Sequence, residues 1–165
     1  MNSGKRDGFT LIKLIIVIVI LGILAAVAVP KFAGLTKEAR VSAVKGFAGS
    51  LRAAMNIVHG KWLAQDNASI DNVTLEDGTT VYICTGSNTD HRCKRGVKGG
   101  YPAPSSDGIG AAVDFDNKTF VIDTSESNSI KFYYKGYSNK DCYVKYDYSN
   151  DNESPSIDVK TNECD

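Results

Sequence analysis

The sequence predicts an α+β fold: a long N-terminal helix, apolar in its first half and amphipathic in its second, packed on an antiparallel β-sheet head. Three observations carry this expectation. Between Phe9 and Val29 the one charged residue is Lys13. From Phe32 to Trp62 apolar residues recur at steps of three and four, the period of a helix with one buried stripe. From Asp66 onward short stretches of alternating apolar and polar residues are separated by Gly, Pro, Asn and Asp, the pattern of half-buried strands and their turns.

Each segment follows in order. Residues 1–8 form a short leader with Lys5 and Arg6, which favour the cytoplasmic side of a membrane. Residues 9–29 as a helix run about 31 Å, enough to cross a bilayer core. The layout resembles an export signal, yet no small-residue cleavage site follows the apolar run, so the run is expected to be retained. Gly22 weakens this helix, and Pro30 removes a backbone donor where the axis is expected to bend. Residues 30–65 continue the helix with a stripe of Phe32, Leu35, Ala39, Ala43, Phe47, Leu51, Ala54, Val58 and Trp62. Lys37, Lys45, Arg52 and Lys61 occupy the opposite side, and Gly46 and Gly49 would permit a close backbone approach. The helix is expected to end near Gln65, before the turn signal Asp66-Asn67.

Residues 66–165 form the head. Val73–Leu75 and Thr80–Ile83 flank Glu76-Asp77-Gly78-Thr79, a hairpin in which glycine supplies a positive φ. A glycine-rich connection spans 96–104. Further strands are expected at Val113 and Phe115, Phe120 and Ile122, Ile130 to Tyr134, Cys142 to Tyr148, and Ile157 and Val159. All four cysteines, Cys84, Cys93, Cys142 and Cys164, lie in this region. An even number in an exported head reads as two disulfides, and Cys84–Cys93 with Cys142–Cys164 closes two local loops.

Several functions are disfavoured. Nineteen basic and nineteen acidic residues leave no net field to recruit nucleic acid. The glycines of 96–100 lack the Gly-Lys-Ser/Thr and helix start of a phosphate cradle, so no nucleotide cofactor is expected. His59 and His91 have no nucleophile set around them, and no catalytic residue is assigned. A zinc site from Cys84, His91 and Cys93 would lack a fourth ligand.

Gly8-Phe9-Thr10-Leu11-Ile12, the apolar run, Gly22 and Pro30-Lys31-Phe32 together resemble the N-terminus of type IV prepilins and of type II secretion pseudopilins. That resemblance implies a type IV pilin fold, cleavage after Gly8 by a prepilin peptidase, and N-methylation of Phe9. It further implies a single-pass anchor in the bacterial inner membrane that later becomes the core of an extracellular helical filament. Partners would be copies of the chain or sister pilins, the pilus assembly machinery and, before assembly, membrane lipid. Lys13 departs from the pattern, because this family carries glutamate there to neutralise a neighbouring subunit's N-terminal amine. Two like charges ~6 Å apart at an effective dielectric near 20 repel by roughly 3 kcal/mol, where an acid would attract by a similar amount.

The stretches 100–103, 106–109, 142–146 and 155–159, ending in Cys164, also look like mannose-sensitive haemagglutinin pilins. This implies an adhesive pilus that contacts surfaces and glycans. A pseudopilin of type II secretion is the alternative within the family; a membrane-tethered glycan-binding module that never polymerises is the alternative outside it.

Three local features remain. His91 to Arg95 with Lys98 is a basic run that would meet a neighbour's acidic C-terminal region or an anionic polymer. Asp147, Ser149, Asp151 and Glu153 place oxygen ligands at alternate positions, a weak calcium-loop pattern lacking the central glycine. Tyr133 and Tyr143, read as outward-facing, offer rings on which sugars stack.

Overall fold

The computed structural model describes residues 4–66, 69–86, 93, 98–149 and 154–165, with only the backbone described for 4–10, 26–35 and 98. The chain divides into two compact units, Met1–Ala39 and Arg40–Asp165.

Helix α1, Gly4–Leu63, supplies all the described structure of the first unit. It runs through Gly22 and Pro30 without a break in helical assignment. Every large apolar side chain from Leu11 to Leu24 is more than half exposed. Leucine, isoleucine and valine, with Gly22, fill 14–24 with no polar face, so no side of the helix here is set apart to be buried.

In the second unit α1 becomes one-sided. Val44, Phe47, Ala48, Leu51, Met55 and Val58 are buried, whereas Lys45 and Arg52 face solvent. The stripe therefore departs from the expected one. Ala39 is exposed, and Val44, Ala48 and Met55 join the core in its place, one helical step around. Among the described residues nothing lies within 4 Å of a Cβ built at Gly46 or Gly49, so the close approach those glycines suggested is not seen there. The helix ends at Leu63, two residues before the expected Gln65, and Asp66 turns the chain with φ 50.

Beyond it lie two antiparallel sheets rather than one. The first contains β1 (Asn72–Thr74), β2 (Thr80–Thr85) and β3 (Lys98–Pro102) in that order. The second is a meander of β4 (Phe120–Asp123), β5 (Ser129–Tyr134), β6 (Tyr143–Asp147) and β7 (Ser156–Lys160). The β1–β2 hairpin matches its sequence signal. Leu75 N–H donates to Thr79 O at 2.8 Å, Thr79 N–H to Asp77 Oδ1 at 2.9 Å, and Gly78 adopts φ +87.

Two expectations fail between the sheets. The glycine-rich connection is not a plain loop, since it contains β3, paired with β2 through a register shift at Cys84/Thr85. Val113 and Phe115 form no strand. Helix α2, Ile109–Ala112, ends at Val113, and the chain then enters a turn where Asp116 Oδ1 accepts from the Lys118 amide at 2.9 Å. The Asp116 side chain bonds the local backbone here, an alternative to ladder formation.

The helix stripe serves both sheets. Phe47 stacks on Phe120 with centroids 4.5 Å apart and leans on Phe132 at 5.0 Å, fixing α1 to the inner face of the meander. Val58 packs with Val73, Val81 and Ile83 of the first sheet. The sheets are joined directly where the buried Tyr146 hydroxyl donates to Pro102 O at 2.7 Å. Burial pushes that phenol well above its ordinary pKa, which keeps it a proton donor.

Disulfides close the head. Cys84 is joined to Cys93, and Cys142 to Cys164. The first bond occupies the two thiols that a zinc site would need.

Candidate functional site

The residues singled out at the N-terminus all lie on α1. Gly8 and Phe9 fall in its first turns, Lys13 is exposed among exposed apolar neighbours, and a Cβ at Gly22 would meet nothing within 4 Å. Side chains are described for only fifteen positions of the run, 11–25, and among the described residues no helix is long and apolar enough to cross a membrane. Chemically this segment offers one thing: a rod of exposed aliphatic surface. Burying it in lipid or in protein is worth roughly 25 cal/mol per Å².

The head is organised for rigidity. His59, on α1, lies flat against Tyr101 of β3 with centroids 3.9 Å apart and planes 8° apart. Its Nδ1 sits 3.1 Å from Gly100 O. A carbonyl only accepts, so the proton is on Nδ1. Trp62 donates from Nε1 to Ile70 O at 3.0 Å and lies directly over Gly100. His59 is thus a packing residue linking helix to sheet.

A charge cluster that the linear sequence did not reveal lies on the outer face of the meander. The register sets Lys131 of β5 directly opposite Lys145 of β6. Two ammonium groups so placed would repel, and Glu126 from the β4–β5 turn bridges them. It pairs with Lys131, with Lys145 at 3.1 Å, and accepts from Ser129 Oγ at 3.0 Å. Hydrogen bonds from Lys131, then Lys145 and Ser129, lower its carboxyl pKa to about 2. Only the strand register, set by turn lengths, could have shown these residues to be neighbours.

Asp147, the first of the calcium-loop residues, is already engaged. Its carboxylate pairs with Lys145 at 3.0 Å and accepts from the Ser149 amide at 3.1 Å and from the Ser149 hydroxyl. Burial opposes ionisation, but Ser149 and Lys145 hold the carboxyl below its usual value. Asp151 and Glu153 lie outside the described residues, as do His91 and most of the basic run. Among the described residues no group of three or more His, Cys, Asp or Glu could hold a metal ion. Tyr133 lies on the outer face with Lys131 but is buried there, packed against Tyr143 with centroids 5.1 Å apart. Lys131 in turn lies over Tyr143 at 5.4 Å. The paired rings are a packed patch of sheet and not two open platforms.

Comparison with known proteins places these features together. Residues 4–29 match the family model described as the prokaryotic N-terminal methylation motif. The chain is 37% identical over 106 residues to the type IV narrow pilus major component PilA5 of Thermus thermophilus, covering 57% of this chain and 91% of that protein. It is 32% identical over 109 residues to a fimbrial protein of Neisseria meningitidis, covering 57% of this chain and 64% of the relative. The type II secretion system core protein G of Pseudomonas aeruginosa is 40% identical, over only 57 residues, 34% of this chain and 40% of its own length. No solved structure matches the chain. The two pilin matches each cover 57% of this chain, the secretion-system match 34%. With an exposed apolar helix followed by a disulfide-bonded antiparallel head, the chain belongs to the type IV pilin family and is a structural subunit of a pilus.

Proposed function

We propose that this subunit is made as a prepilin, with residues 1–8 cut off after Gly8 by a prepilin peptidase and Phe9 N-methylated. Residues 9–29 then hold it in the inner membrane until the assembly machinery transfers it to a filament outside the cell. Residues 30–65 carry the head, 66–165, on that rod. The observation that carries this reading is the exposed apolar surface from Leu14 to Leu24, which holds no charged or polar side chain. A surface of that kind is sequestered in one of two ways, by lipid before assembly and by other subunits after it.

The filament's work is mechanical and adhesive. The head presents surfaces to substrata and to surface glycans, and no chemistry is assigned to it. Lys13 is the filament-core position at which charge decides partner choice. A lysine there favours a sister pilin that supplies an acid over a pure homopolymer. Electron microscopy of filaments sheared from the cell surface, with immunogold against the head, tests the reading. Gold along the filaments supports it, and retention of all the protein in the inner membrane would favour the tethered module instead.

A further inference from the structure

A groove of about 770 Å³ opens on the second unit between α1 and the β1–β2 turn. Its floor is apolar, formed by Ala53, Ile57 and Leu75, and its rim carries Lys61, Glu76 and Asp77. Ile57 is 63% exposed. The rim stays anionic, because hydrogen bonds from Thr79 hold the Asp77 carboxyl below its usual pKa.

Among the described residues of this unit, the large exposed apolar side chains are Ile57, Leu63 and Val121. Val121 lies on β4, an edge strand of the meander, on the face turned away from the core. Lys135 N–H bonds Thr119 O at 2.8 Å, which brings Lys135 and Lys118 to the same end of that edge, both exposed. Asp116 is nearby, but its oxygens are taken by the Lys118 amide and the Thr119 hydroxyl, and Asp123 at the other end of the strand accepts from the Ser125 amide at 2.8 Å. The molecule therefore carries an apolar groove with two carboxylates to one ammonium. Elsewhere it carries an apolar edge with two ammonium groups at one end, its carboxylates Asp116 and Asp123 both bonded to their own turns.

We propose that the groove of one subunit receives the β4 edge of a second copy, Val121 entering beside Ile57 and Leu75 while Lys118 and Lys135 face Glu76 and Asp77. Because the two patches differ, the contact is head-to-tail and passes from subunit to subunit, as a filament requires, instead of closing into a two-fold dimer. The proposal rests on the reading of the chain as a polymerising subunit and adds which head surfaces meet.

Charge reversal in the full-length chain, expressed as the only copy in its own cells, tests it. Like charges across such a contact cost enough to lower sheared-filament yield by about tenfold or more in E76K/D77K and in K118E/K135E. The combined variant restores the complement and recovers yield to within about threefold of the unaltered chain. Membrane-associated protein level and complete oxidation of all four cysteines verify that each variant folds. As a second readout, a photo-crosslinking residue at Ile57 captures a copy of the same chain, the joined peptide lying within 118–135. Unchanged yield in either reversal, folded variants whose combination fails to recover, or a crosslink to any other protein or segment would overturn the contact. Absence of filaments from the unaltered chain would instead overturn the polymerising reading beneath it.

Discussion

Gly100 shows how much a single residue can decide. Its φ of +68 disfavours any side chain, and a Cβ there would stand 2.0 Å from the Trp62 ring. Gly100→Ala combines backbone strain with a clash and should cost about 1–3 kcal/mol or more. Emission from the chain's one tryptophan, Trp62, followed through thermal unfolding of the detergent-solubilised protein, reads both the loss and the displaced ring. A variant melting with the parent would contradict this contact. The glycine was visible in the sequence, but its partner Trp62, far upstream, was not, since nothing in the linear order pairs α1 with β3. Glu126 gives the same lesson in charge. Its folded pKa of about 2 lies below the ordinary 4.5, so its stabilising effect is full above about pH 4.5 and is lost as pH falls toward 2. Glu126→Gln should remove that part of the acid dependence and lower stability at pH 7 by no more than about 1 kcal/mol, because the pair is screened by solvent. Unfolding midpoints of parent and variant measured from pH 7 to 2 should therefore converge at the acid end; parallel curves would exclude the bridge.

At the scale of elements, the Cys142–Cys164 bond ties the β6–β7 hairpin shut across 22 positions. Arg40 of α1 donates to Cys164 O at 3.0 Å and lies over Tyr137 at 5.2 Å, so the C-terminus is fastened to the helix through the same cysteine. On the chain-entropy model such a loop contributes about 3 kcal/mol. Replacing both cysteines with serine should lower the unfolding free energy by about that amount, which denaturant unfolding of the full chain would read; an unchanged midpoint would assign the stability to the sheet alone. The elements that the sequence announced were those with clear periods: the helix stripe, the β1–β2 hairpin and the strands β4 to β7. β3 was hidden because glycines occupy the positions where alternating side chains would have marked it. A strand at Val113 was wrongly expected because two apolar residues two apart also suit a chain leaving a short helix. The division into two sheets was invisible for a related reason, since alternation reports a buried face and not which strands share it.

For the whole molecule, the family was legible from the N-terminal stretch 8–32 because its role is carried by local sequence. The head's contacts with other subunits were not, because they depend on which patches the fold brings to the surface. Lys13 is the exception that bears on assembly. Replacing it with glutamate turns a repulsion into an attraction at the filament core and should raise filament number per cell by about threefold or more when this is the sole pilin. Counting filaments by electron microscopy decides the matter, and an unchanged count would show that the charge at this position does not control self-assembly. The central claim, that a trimmed apolar helix trades lipid for its neighbours, is tested most directly by intact-mass and N-terminal peptide spectrometry of subunits recovered from sheared filaments. The expected subunit begins at Phe9 and carries one added methyl group. A start at any other residue, or recovery of this chain only from the membrane fraction, would contradict it.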